Sequence, residues 1–131
     1  MVEISAGELL DKITMLQLKT EKLRDLAQVK QVRAELEPLL HTWCAGVPPT
    51  RELQSLTAAL TSVNRALWDV EDQLRACERD GEFGAQFVTL SRTARRHRER
   101  RSALRCEVNV LLGSALTEEN PAHTFPEGQA A

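Results

Sequence analysis

Asn64, Trp68, Glu71, Arg75 and Glu78 recur at steps of 4, 3, 4 and 3 residues, the spacing that keeps side chains along one flank of a helix. His97 and Arg101 stand four residues apart further along the chain. If the chain reverses near residue 82, Arg101 falls opposite Val63 and Asn64, and His97 opposite Leu67 and Trp68. Such a layer has the parts of an anion pocket: guanidinium and imidazole donors, an amide to orient the ligand and an indole wall. On that reading Asn64, Trp68, Glu71, Arg75, His97 and Arg101 form a ligand site for an anionic small molecule. The same side chains also suit an architectural layer. In that case Glu71 or an acid of the first helix holds Arg101, and buried charge fixes helix register at some cost in stability.

Two acidic pairs raise a metal question. Glu8 with Asp11 makes an E-x-x-D, and Asp69 with Asp72 a D-x-x-D, the spacing by which helical nucleotide pyrophosphohydrolases share magnesium between helices. Helical phase opposes this, because Asp69 and Asp72 turn to solvent when Leu67 and Val70 face inward. His41 and His123 read as solvent-exposed side chains rather than ligands. No metal, cofactor or catalytic residue is therefore expected. Arg92, Arg95, Arg96, Arg98, Arg100, Arg101 and Arg105 suggest nucleic acid, which needs cations on one exposed stripe. Here they encircle the helix with no interleaved aromatics for stacking, which argues against it.

The elements that must position these side chains are helices. Leu53, Leu56, Leu60, Val63, Leu67, Val70, Leu74 and Cys77 alternate steps of three and four, a repeat that stays on one side when a helix coils gently around a partner. Positions 83, 87, 90, 94, 97, 101, 104, 108 and 111 repeat the rhythm, and all but His97 and Arg101 are apolar. Asp80 and Gly81 turn the chain between these two helices, each about 30 residues and so roughly 45 Å long.

Ahead of them, Ser5 and Glu8 form a capping box, with Ile4 and Leu9 as its hydrophobic staple. Leu9, Ile13, Leu16, Thr20 and Leu23 continue the first helix's seam, widened by Leu10 and Leu26, and Gly7 is merely tolerated. A second helix from about Gln28 to Trp43 uses Val29, Val32, Leu36, Leu39 or Leu40, and Trp43. Pro38 either kinks it or opens a fresh turn. Gly46 to Pro49 form a linker and Thr50 caps the third helix. The expected fold is all-α, an antiparallel four-helix bundle with a long coiled-coil-like hairpin of the third and fourth helices. It spans residues 1–114, with an extended or disordered tail over 115–131 containing Pro121, Pro126 and Gly128. The uncovered part of the long hairpin should seek another copy, so a homo-oligomer is expected.

A chain of 131 residues suits one domain with a core of its own. Two Trp, three Phe and no Tyr leave core packing to aliphatic residues, which favours helices over sheets. Cys44, Cys77 and Cys106 are odd in number and far apart, so neither a disulfide framework nor a zinc site is expected. Cys77 on the seam reads as a small buried group and Cys106 as an exposed one. Residues 1–30 lack the pattern of a signal peptide, and no run of 18 apolar residues suggests a membrane span, which points to a reducing cytoplasm. Residues 1–80 carry 10 Lys and Arg against 13 Asp and Glu, whereas residues 81–113 carry 7 against 3. Complementary charges of this kind pair helices within a bundle or between subunits.

The stretches VEISAGELLDKITMLQLKTEKL, VNRALWDVEDQLRACERDGEFGAQFVTLSR and RSALRCEVNVLLGSALTEEN resemble a bacterial family of short helical proteins with no assigned chemistry, over most of residues 2–120. The family pattern matches at Glu8, Asp11, Lys12, Asn64, Trp68, Glu71, Asp72, Arg75, Glu78, Arg101 and Asn109. It departs at Arg95, where relatives have tyrosine, at Arg98 and Glu99, where they have an Asn-Asp pair, and at Ala6, where they have proline. The resemblance implies membership without a mechanism. The expected function is that of a non-enzymatic helical interaction protein that self-associates and binds a protein partner, with an anionic small-molecule site as the alternative.

Overall fold

A computed structural model describes residues 4–113. Within them the chain forms four helices in the order α1 (Ala6–Lys22), α2 (Leu26–Gly46), α3 (Arg51–Asp80) and α4 (Ala85–Leu111). The proposed tail over 115–131, with His123, lies outside the described residues.

Each helix begins and ends for a local reason. Ser5 accepts from the Glu8 amide while the Glu8 carboxylate accepts from the Ser5 amide, so the expected capping box is formed. Ile4 nevertheless stays 46% exposed. Asp25 caps α2 by accepting from the Ala27 amide, which starts that helix two residues earlier than its apolar pattern suggests. The helix then runs unbroken through Pro38 to Gly46. Proline has no N–H for the carbonyl of Ala34, but both residues are exposed, and water can satisfy that oxygen. Thr50 accepts from the Leu53 amide at the head of α3. Gly81, at φ 68°, closes α3 in the left-handed conformation that glycine adopts without strain. The helix α4 starts at Ala85, leaving Phe83 outside it, 59% exposed with its ring edge-on to Phe87.

Three apolar clusters hold the bundle. Ala6 and Leu10 of α1 meet Leu53, Leu60 and Val63 of α3 and Leu104 and Val108 of α4. Leu9, Ile13 and Leu16 turn the other way, against Leu36 of α2. Leu67, Val70 and Ala94 form the third cluster with Leu74 and Leu90, all from α3 and α4. The long hairpin is thus the spine: α1 lies along its first part, and α2 packs on the outside of α1. The seam of α4 is buried at Ala94, Leu104 and Val108 and open at its ends, where Phe83 and Leu111 are exposed.

Candidate functional site

The polar layer lies where α1 crosses α3 and α4, and its centre is Asp11. Gly7, Asp11, Thr14 and Leu18 follow steps of 4, 3 and 4 along α1, and all four are buried. Asn64 Nδ2 donates to Asp11 Oδ1 at 2.7 Å and to Thr14 Oγ1 at 3.0 Å. The Thr14 hydroxyl in turn donates to the Asp11 carbonyl at 2.8 Å. These bonds fix which way the Asn64 amide points, since the reverse would set two oxygens against each other. The second oxygen of Asp11 lies 3.4 Å from Arg105 Nη1 and 3.9 Å from Arg101 Nε. One acid of α1 therefore serves one amide of α3 and two guanidinium groups of α4.

Close approach of the helices makes this possible. A Cβ on Gly7 would collide with the carbonyl of Arg105, so glycine is required at the contact rather than tolerated there. Beside it the Gly7 amide, one of the free donors of the first turn, reaches Asn109 Oδ1 at 2.7 Å. Asn109 thereby acts as a cap supplied by another helix.

Electrostatically the layer holds one carboxylate against two cations, and part of its capacity is open. Arg101 Nε and Asn64 Oδ1 are buried without a hydrogen-bond partner. Asn64 is 1% exposed, whereas the Arg101 side chain keeps 26% of its surface. The arrangement can brace three helices, and Arg101 can still offer guanidinium donors to an anion. It contains no nucleophile beside a base.

The structure brings only part of the expected set together. Asn64 and Arg101 meet through Asp11, an acid of α1, as the architectural layer requires. Glu71 instead pairs with Arg98 at 3.1 Å near the surface, and Arg75 with Asp72 on exposed α3. His97 is half-buried and makes no side-chain hydrogen bond or ion pair among the described residues. Trp68 lines a separate cleft of about 320 Å³ with residues of α1 and α2, including Lys19 and Gln31. Sequence reasoning anticipated an acid of the first helix against Arg101 without singling out Asp11, and it left Gly7, Thr14, Arg105 and Asn109 out of the layer, although the 4, 3, 4 rhythm from Gly7 to Leu18 was a signal for α1.

The acid pairs do not assemble. Glu8 is held in its cap, Asp69 pairs with Lys22 at 3.5 Å and Asp72 with Arg75. Among the described residues no group of three or more His, Cys, Asp or Glu could hold a metal ion, and no helix is long and apolar enough to cross a membrane. In the arginine-rich stretch Arg95, Arg98, Arg100, Arg101 and Arg105 each face a carboxylate. Cys77 is buried, and Cys44 and Cys106 are exposed free thiols.

A further concavity runs along the hairpin on the side away from α1. Arg51, Glu52 and Leu56 of α3 and Cys106, Val110 and Leu111 of α4 line a groove of about 710 Å³. Val110 is 79% and Leu111 38% exposed.

No family model, curated protein or solved structure matches the chain.

Proposed function

We propose that this chain is a helical interaction protein that self-associates through the α3–α4 groove, with the Asp11 crossing as its internal brace. The observation that carries the reading is the apolar strip of Val110 and Leu111 beside Leu56, which the described residues leave exposed. Full burial of a side chain of this type is worth about 1.5–3 kcal/mol, which a second copy can supply. The rim favours a copy of the same chain, because Arg51 stands with Glu52 and Glu107 around the groove. A surface carrying both signs can complement itself about a two-fold axis. The three free thiols fit a reducing compartment, and we place the protein in the cytoplasm.

Sedimentation equilibrium of the wild type and of Val110→Glu tests this. The wild type is expected to dimerise in the micromolar range and the variant to remain monomeric with an unchanged helical spectrum. A wild type that stays monomeric, or a variant that dimerises equally well, overturns the proposal.

A second reading has its own observation: Arg101 faces Asp11 at 3.9 Å without completing a hydrogen bond, and its side chain keeps 26% of its surface. An oxyanion bound by Arg101 at the edge of the crossing would use the solvent-facing part of the guanidinium, while the buried Nε stays against Asp11. Asp11, Asn64 and Arg101 converge at the crossing, with Asn109 beside them at the Gly7 amide. Thermal stabilisation of the wild type by phosphate or citrate, lost in Arg101→Met, is the expected sign of this site. Equal shifts in both proteins would oppose it.

A further inference from the structure

The cleft containing Trp68 is built by three helices. Trp68 of α3 is half-buried on one wall, Leu23 and Val32 supply apolar surface, and Gln28 and Gln31 lie one turn apart on α2. Neither glutamine makes a side-chain hydrogen bond among the described residues, so both amides are available to a ligand. Lys19, on the last turn of α1, has no carboxylate within ion-pair distance among them, whereas Glu35 on the same rim is engaged by Lys12 at 3.4 Å. The cleft therefore combines a half-buried indole, two amides without protein partners and the Lys19 ammonium, with the Glu35 carboxylate on the same rim turned to Lys12.

Two surface ion pairs cross beside its wall. Arg65 and Asp69 flank Trp68 in sequence, and each is tied to the end of α1: Arg65 to Glu21 at 2.8 Å and Asp69 to Lys22 at 3.5 Å. The indole stands on the interior of α3 where that helix packs along α1, so no backbone segment has to order on binding.

We propose that this cleft binds an adenine mononucleotide. An indole is a stacking platform for a base. A glutamine amide offers a donor and an acceptor side by side, the match for the N6 and N7 edge of adenine. Lys19 meets the phosphate as a point charge. The volume of about 320 Å³ lies at the small end of ligand clefts, roughly 300–1,000 Å³, and suits a mononucleotide better than a polymer.

The chain has only two tryptophans, Trp43 and Trp68, so Trp43→Phe leaves Trp68 as sole reporter. Titration of its emission with AMP, adenosine, ribose 5-phosphate and inorganic phosphate separates the contributions. Saturable quenching by AMP is expected, with adenosine binding about tenfold more weakly and the two anions without a base causing no quenching. Lys19→Gln should bring AMP affinity down to that of adenosine. Should Trp43→Phe not fold, calorimetry on wild type, Trp68→Phe and Trp68→Leu makes the same comparison, with binding retained in the first two and lost in the third. Absence of saturable AMP binding, equal affinity for AMP and ribose 5-phosphate, or indifference to Lys19→Gln overturns the proposal. The same titration on Val110→Glu should be unaltered, which keeps this result independent of self-association.

Discussion

Asp11 and Asn64 are 53 residues apart in the chain and 2.7 Å apart in the fold. Their bond joins α1 to α3 at the level where Arg101 and Arg105 of α4 approach the same carboxylate. The crossing is consequently a three-helix junction whose geometry depends on a single acid.

Replacing Asp11 with Asn or Ala leaves two cations without their acid. Breaking a fully buried pair costs about 3–5 kcal/mol. Arg101 and Arg105 keep 26% and 33% of their side-chain surface, so water relieves part of this, and a loss of about 2–3 kcal/mol is expected. Urea denaturation would show it as a lower midpoint at constant m. A change within about 0.5 kcal/mol would mean the junction does not brace the fold.

Gly7→Ala has opposing effects. Alanine gains about 1 kcal/mol of helix propensity, yet its methyl group enters the space of the Arg105 carbonyl, and overpacking costs about 1–3 kcal/mol. Backbone contact prevails, because a carbonyl within a helix cannot swing aside. Net destabilisation is expected in thermal melts, and an increase in melting temperature would contradict the close approach.

The Arg65–Glu21 bridge has a pH signature. The hydrogen bond and charge of Arg65 hold the Glu21 carboxyl below the ordinary carboxylate range, and Glu21 in turn pushes the Arg65 guanidinium up. A carboxyl depressed on folding contributes stability that is present above its unfolded pKa and lost as pH falls through the folded one. NMR titration should place Glu21 lower in the wild type than in Arg65→Met. Coincident curves would show that the latch beside Trp68 is open in solution.

Pro38 offers a route to a more stable protein. It sits exposed in the interior of α2, where proline costs about 3 kcal/mol or more relative to ordinary residues. Pro38→Ala restores a donor to Ala34 and removes the ring. A gain of about 1–3 kcal/mol in chemical denaturation is expected; no gain would show that α2 already accommodates the ring at little cost.

The long helices, their turn at Gly81 and the caps at Ser5 and Thr50 were legible because each is written in local chemistry: apolar steps of three and four, a left-handed glycine and hydroxyl caps. The centre of the polar crossing was not. Hydrophobic periodicity finds the side of α1 that carries Leu9, Ile13 and Leu16, but the side facing α3 and α4 sets a glycine, an acid and a threonine among Ala6 and Leu10. The flank from Asn64 to Glu78 follows a sound helical rhythm, yet α1 ends at Lys22, beside Asp69. Asn64 therefore meets α1, whereas Arg75 has no third helix beside it. Spacing along one helix reports a shared face, and only the lengths of its neighbours decide whether that face has one environment or several.

The outer part of the hairpin, from Val70 out to Phe83 and back to Leu90, is only two helices thick. A pair of rods with one shared side has little to resist fraying, so amide exchange should run as a gradient. It should be quickest around Phe83 and Val88 and slowest near Leu60 and Leu104, turning the molecule into a fork whose tines loosen while the handle stays shut.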